Sequence, residues 1–357
     1  MPPAARAAGG RPMKAHLLAL ATILVWGTTF VSTKVLLADL APQWILLIRF
    51  ALGLAALCAL RPRMLSVASR RDEGLFALAG LTGVAAYYLL ENMALTFASA
   101  TAVGVIVTTS PLITALIAAA RGQRETLSPR FLAGFALAMA GVLLVSLAGS
   151  ASEGAVAGAE AGAGAADARP VTSFADAPGA LWTRSTTAPG AAAAALDAGA
   201  LVGCALALAA AAVWAAYSLL VARLAAGGYE TIAATKRTFA WGLLLMTPAV
   251  LLGGNAPQPA SLVEPVNAAN LLFLGLIASA ACFVTWGYAV KHLGAVVTST
   301  YIYLVPAVTA ACAAAVLGEP LSPAVLAGMA LTVAGLLLSR DRRSRPPHGK
   351  YRESGQK

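Results

Sequence analysis

Runs of about 20 consecutive apolar residues recur along the whole of this chain. An α-helix needs a run of that length to cross the roughly 30 Å hydrocarbon core of a bilayer. The strands of a membrane barrel would instead alternate apolar and polar side chains over about 10 positions. Lipid offers no hydrogen-bond partners, so each crossing segment has to satisfy its own backbone, as a helix does. Composition excludes the soluble classes. Of 357 residues, 59% are hydrophobic and 11% charged, with mean hydropathy +0.78. A soluble domain carries about 25% charged residues, because its surface needs them. The chain therefore reads as an all-α polytopic membrane protein whose first partner is the lipid bilayer.

Ten spans are expected, at 16–37, 43–60, 74–97, 101–120, 130–148, 200–222, 232–253, 269–290, 295–316 and 322–339. The first follows Arg6, Arg11 and Lys14 like a signal peptide, but its apolar run is too long and further spans follow, so it reads as retained. Lys and Arg favour short cytoplasmic loops. With the N-terminus inside, 21 of the 25 fall on the cytoplasmic side, including the seven of the 340–357 tail. Arg169 and Arg184 fall outside, and Lys34 and Arg49 lie within spans. The formal net charge of +10 is thus a topology signal, with both termini cytoplasmic in an inner (plasma) membrane, and it calls for no nucleic acid.

Between spans five and six lies a segment at 149–199, rich in Ala and Gly, with five acids against two arginines. It cannot bury enough apolar area to order itself, so it reads as an external tether, with a ligand-sensing insert as the alternative. The halves on either side repeat. Glu125-Thr-Leu-Ser-Pro129 recurs as Glu319-Pro-Leu-Ser-Pro323, Leu132-Ala133-Gly134 as Leu326-Ala327-Gly328, and Ala140-Gly141 as Ala334-Gly335. Pro111 and Thr114 align with Pro306 and Thr309. Five spans per half is an odd number, so the halves would insert in opposite directions, a plan typical of transporters. The expected organisation is a tail at 1–15, five helices at 16–148, the linker, five helices at 200–339 and a basic tail at 340–357. The small-residue stripes would pack helices within one chain or join two copies as a homodimer.

An ionisable group inside a span costs roughly 2.5–3.5 kcal/mol on insertion scales, so each asks for a reason. Lys34 lies near a helix end, where it either snorkels or lines a pathway. Arg49 and Glu91 sit at similar depth, about 10 Å from the outer surface. They read either as an ion pair that shares the cost of burial, or as groups that grip a substrate carboxylate (Arg49) and an amine or proton (Glu91). Arg237 stands near the Arg49 position of the second half, and Trp286 stands where Glu91 has its counterpart. Pro111 and Pro306 are expected to kink helices at a midplane site, with Thr108, Thr109, Tyr301 and Tyr303 supplying hydroxyls. Trp26, Trp214 and Trp286 read as interfacial belt residues or cavity walls. Cys58, Cys204, Cys282 and Cys312 are scattered singly, and His16, His292 and His348 are too dispersed for a metal site. With no Walker loop and no nucleophile–base arrangement, neither an enzyme nor a cofactor is expected.

Several motifs together carry a resemblance. They are Trp26-Gly27-Thr28-Thr29-Phe30 with Lys34, Arg49-Phe50, Glu91-Asn92-Met93-Ala94-Leu95, Pro111 and the Leu-Ser-Pro start of span five. The second copy shows Trp214, Arg237, Tyr288-Ala289, Pro306 and Gly318-Glu319-Pro320-Leu321-Ser322. In order, spacing and duplication the chain resembles the drug/metabolite transporter superfamily, in its EamA-type branch. That resemblance implies ten helices and transport of a small-molecule substrate, often efflux of amino acids or related compounds. The long linker and the Trp214-Ala215 step, which lacks the glycine of Trp26-Gly27, depart from the pattern. The expected substrate-binding set is Arg49, Glu91, Asn92, Trp26, Thr108, Pro111, Arg237, Trp286, Tyr301, Tyr303 and Pro306, with Glu91 as the proton-coupling candidate. Efflux of cationic drugs and uptake of a carboxylated metabolite are the rival transport readings, and a membrane receptor or sensor is the non-transport one.

Overall fold

The computed structural model describes residues 4–36, 38–63, 65–97, 103, 106–144, 198–252, 256–317 and 321–339. The 340–357 tail and all but the end of the 149–199 linker lie outside these, as do the side chains of Lys34 and Asn92. Among the described residues the elements are all helical. The first half contains α1 (Ala4–Leu36), α2 (Pro42–Leu60), α3 (Arg70–Gly80), a π-helical stretch (Leu81–Ala86), α4 (Tyr87–Phe97), α5 (Ser110–Ala120) and α6 (Pro129–Leu144). The second contains α7 (Ala198–Ala226), α8 (Thr231–Leu252), α9 (Pro259–Val263), α10 (Pro265–Leu272), a second π-helical stretch (Phe273–Ala281), α11 (Cys282–Leu293), α12 (Ala295–Ser299), a 3-10 turn (Thr300–Leu304), α13 (Val305–Leu317) and α14 (Pro323–Ser339).

Six helices are long and apolar enough to cross a membrane: Met13–Thr33, Pro42–Leu60, Arg70–Glu91, Val202–Ala226, Pro265–Leu293 and Ala295–Cys312. Ser110–Ala120, Pro129–Leu144 and Pro323–Ser339 are apolar but shorter. Local chemistry sets the boundaries. Pro42 opens α2 after an extended Ala41, and Ser69 caps α3 by accepting from the Asp72 N–H, with Asp72 and Glu73 favourably placed in its first turn. Glu230 accepts from the N–H groups of Ile232 and Ala233 at the start of α8. Gly294 ends α11 at φ +83°, a conformation that a side chain would strain. Hydroxyls inside helices, such as Thr22, Thr114 and Thr332, turn back onto the carbonyl one turn earlier and so hide their polarity from lipid.

The two halves pack by exchange. Helix α1 lies against α11 and α13 of the second half, and α7 lies against α4 and α5 of the first. Likewise α2 packs on α8 and on the second π-helical stretch, while α8 packs on α3 and the first. Matching positions do matching work. Phe50 and Phe239, equally far from the starts of α2 and α8, meet edge to face at 5.1 Å. Gly80 and Gly275, equally far from the starts of α3 and α10, are the close-approach points, each too near the opposite half to carry a Cβ: 2.6 Å from the Gly242 nitrogen and 2.6 Å from the Leu52 Cβ.

One expectation needs correction. The prolines do not kink continuous helices. The chain turns at Thr108 and Thr109, and Pro111 sits in the first turn of α5; Pro306 likewise sits in the first turn of α13, after a 3-10 turn. A proline there loses no bond, because first-turn N–H groups have no intrahelical acceptor. Both are restarts of broken helices. The stripes of small residues are used inside one chain: Gly134 faces Ser339 and Gly335, and Gly141 faces Gly328 and Thr332.

A Cβ on Gly141 would fall 2.5 Å from the Gly328 carbonyl oxygen and the Thr332 hydroxyl, whereas one on Gly74 would meet nothing within 4 Å. Gly141→Leu should therefore lower the thermal unfolding midpoint of the detergent-solubilised protein, by a destabilisation of about 1–3 kcal/mol or more. Gly74→Ala should leave it unchanged or raise it. Equal midpoints for the two variants would refute this helix contact.

Candidate functional site

Where the exchanged helices converge, aromatic side chains fill the centre. Trp26 of α1 lies 5.4 Å from Trp214 of α7 and 5.2 Å from Trp286 of α11, measured between ring centroids. Phe283 touches Trp26, Trp214, Phe50, Tyr217 and Phe239, and Tyr87 of α4 reaches Trp214 at 5.0 Å. The three tryptophans are thus a central wall and not an interfacial belt. Their N–H groups differ. Trp26 donates to the Ala278 carbonyl at 2.9 Å, while the buried N–H groups of Trp214 and Trp286 have no acceptor among the described residues. A buried donor left unpaired costs about 1–3 kcal/mol, so each marks a place where packing tolerates a polar demand.

Arg49 enters this cluster from α2 and is 5% exposed. Its Nε donates to the Ser279 hydroxyl at 3.0 Å, and its guanidinium lies over the rings of Phe50 (5.4 Å) and Tyr88 (5.5 Å). A cation on aromatic faces is stabilised by the ring quadrupoles, the more so when water is excluded. The expected Arg49–Glu91 ion pair does not form: the ion pairs among the described residues are Arg61–Glu230 and Arg237–Glu73. Glu91 instead accepts from the Tyr87 hydroxyl at 3.1 Å. Helical depth along two axes said nothing about which faces of the two helices meet, and aromatic rings occupy the space between. The terminal nitrogens of Arg49 make no hydrogen bond to the described residues, so the cation's fork is left for another acceptor.

Two polar closures bracket the rings. At the basic end, Glu73 of α3 takes Arg237 through Nε (2.8 Å) and Nη2, and takes the Trp241 N–H at 2.6 Å. Arg237 also donates to the Leu65 carbonyl, and the fully buried Lys236 donates to the carbonyls of Arg61 (2.6 Å) and Arg63 (2.8 Å). Arg61 pairs with Glu230 at 2.9 Å. Tyr229 accepts from the Ala68 N–H and donates to Asp72 at 2.8 Å. The Ala68 bond alone would lower the Tyr229 phenol pKa, but burial and the Asp72 carboxylate raise it further, so the group stays a donor. At the opposite end the links between halves are neutral or singly charged: Asn267 donates to Asp39 at 2.9 Å, and Ser32 to Asn270 at 2.6 Å.

The expected site residues therefore divide. Arg49, Glu91, Trp26 and Trp286 lie in or beside the ring cluster. Arg237 belongs to the basic closure, and Glu73 is the acid that the sequence reading left out on that side. Tyr303 packs near Phe135, Tyr301 bonds His16 at 2.7 Å, and Thr108 faces Met139. Pro111 and Pro306 restart helices, and Asn92 lies outside the described side chains. Tyr87, Tyr88 and Ser279 were missed. Tyr87 and Tyr88 carry a readable signal, since they precede Glu91 by four and three positions and so share its helix face.

A many-helix membrane protein built of two exchanged halves around a central polar-aromatic site belongs to the transporter class. The EamA-like transporter family matches over residues 13–147 and again over 201–340, and the chain belongs to that family. It is a transporter and not an enzyme. It is 27% identical over 329 residues to an uncharacterized transporter of Archaeoglobus fulgidus, spanning 91% of this chain and 97% of that one. It is 29% identical over 328 residues to a probable terminal-alkyne amino-acid exporter of Streptantibioticus cattleyicolor, spanning 89% and 90%. A crystal structure of another protein superposes with TM-score 0.64 at 21% identity, over 91% of this chain and 96% of that one, a likeness of fold.

The indole contrast is testable through stability. Trp26→Phe removes a made hydrogen bond, worth about 1 kcal/mol, whereas Trp286→Phe removes a donor with no partner. Both lose similar ring area, so Trp26→Phe should lower the thermal midpoint further. The reverse order would show that the Trp286 N–H is satisfied in the folded protein.

Proposed function

We propose that the protein exports a small polar metabolite, an amino acid or a derivative of one, by alternating access across the inner (plasma) membrane. The observation that carries this reading is Arg49: a buried cation between the halves, held through Nε and two ring faces, with its terminal nitrogens unspent. Such a fork suits a substrate carboxylate. Glu91, one helix away on Tyr87, is the group for the substrate amine or for a coupled proton. The exporter from Streptantibioticus cattleyicolor, named for an amino acid, supports the same substrate class.

The architecture of this reading is ten spans in two inverted five-helix repeats at 16–148 and 200–339, with both termini cytoplasmic and the linker an external tether. The exchanged packing, the paired π-helical stretches and the two helix restarts at Pro111 and Pro306 support it. Broken helices at matching points of the halves are where transporters of this plan place a site. One observation favours a second reading, efflux of an organic cation: the ring cluster with a carboxylate at its rim suits a positive charge.

Extracellular metabolite profiling separates them. Cells expressing the intact protein are compared with cells expressing Arg49→Ala at matched membrane levels. The expected result is an amino acid or derivative enriched outside with the intact protein and at least tenfold less so with the variant. Profiles that match the empty-vector control in both strains would overturn amino-acid export. Protection against an added cation such as ethidium, lost in Glu91→Gln and kept in Arg49→Ala, would establish the second reading.

A further inference from the structure

Beneath the basic closure runs a crevice of about 30 Å³ between α7, α8 and α11. It is lined by second-half residues, among them Tyr229, Thr231, Thr235 and Thr238. Its inner end is Tyr217 and Phe283, both members of the central ring cluster. At its other end stands Tyr229, which is also part of the closure, bonded to Asp72 and stacked edge to face on Phe76 at 5.2 Å. The crevice thus joins the central rings to the end of the molecule where α3 and the 61–69 loop are clamped onto α8.

We infer that this crevice is the cytoplasmic entry vestibule for the substrate, and that Glu73 holds it shut by tying α3 to Arg237 and Trp241. The inference rests on the transport reading, since a transporter needs a route from each side to its site. The clamp is concentrated. One carboxylate spans two partners on α8, and the same helix holds the loop through Lys236. Freeing Glu73 removes the charged tie of α3 to α8 beside the crevice, leaving α3 held there by the Asp72–Tyr229 bond and the Phe76–Tyr229 ring contact, so the mouth opens more often. The opposite closure, at Asp39–Asn267 and Ser32–Asn270, is untouched by that change.

The test uses thiol labelling of the full chain with Cys58, Cys204, Cys282 and Cys312 replaced by alanine. Thr235→Cys, at a position 8% exposed, is probed with a membrane-impermeant maleimide in inside-out and right-side-out vesicles. Slow labelling is expected in this background, and about tenfold faster labelling when Glu73→Gln is added, from the cytoplasmic face only. The exchanged pair Glu73→Arg with Arg237→Glu should restore slow labelling. Ala118→Cys, at a buried position of α5, reports unfolding and should not change. Unchanged labelling in Glu73→Gln, access from the outer face, or a parallel rise at Ala118→Cys would each overturn the inference. No substrate enters the assay, so its outcome is read separately from any failure of amino-acid export.

Discussion

The edge-to-face contact of Phe50 with Phe239 sits where the halves exchange partners, and the remaining packing is arranged around it. In lipid there is no hydrophobic force to press helices together, because acyl chains are as apolar as leucine. Association then depends on close packing and on polar bonds made between helices. This chain uses small residues to bring backbones together at the flanks, at Gly80, Gly275 and Gly141, and aromatic rings at the centre. Rings fill the wide middle that crossing helices leave, and they accept the Arg49 cation on their faces where an apolar aliphatic core would reject it.

The fold was legible to the extent that span length and apolarity dictate it. The segments expected as spans are helical within a few residues wherever they are described, apart from the breaks before Pro111 and Pro306 and the early start of α1 at Ala4. What could not be read was azimuth. Depth along a helix follows from counting at 1.5 Å per residue, and it put Arg49 and Glu91 level. Which faces of two helices meet depends on their crossing, which counting does not supply, so the inferred ion pair gave way to Arg49–Ser279 and Tyr87–Glu91. The prolines failed for a related reason: in sequence, a proline that kinks a helix and one that starts it look the same. Glu73 was passed over because it falls just outside the expected span at 74–97, and an acid in the first turn of a helix is favourable there in any case. Here it serves that role and the Arg237 clamp at once.

Exchange also explains the chemical inequality of the halves. Counted from their helix starts, Asp72 of α3 and Asn267 of α10 are counterparts, and each bonds a residue from the loop between the first two spans of the other half, Tyr229 and Asp39. The bond is the same in kind at both ends, with donor and acceptor transposed. On the same count Glu91 answers to Trp286, so one half brings an acid to the centre and the other an indole N–H. A symmetric site would bind a symmetric solute. This centre has a carboxylate and a guanidinium from one half and an indole N–H from the other, so its two sides present different chemistry.

The closures differ in strength as well as in sign. The basic end joins two ion pairs, a buried ammonium held by carbonyls and a phenol bonded to a carboxylate. The opposite end has an amide on a carboxylate and a hydroxyl on an amide. Charge-assisted bonds are roughly twice as strong as neutral ones, and several here share partners, so they release together. With both ends closed around filled rings, the resting bias of such a molecule favours opening at the weaker end first. A chain biased in that direction keeps its basic end sealed unless something breaks several of those shared charge-assisted bonds together.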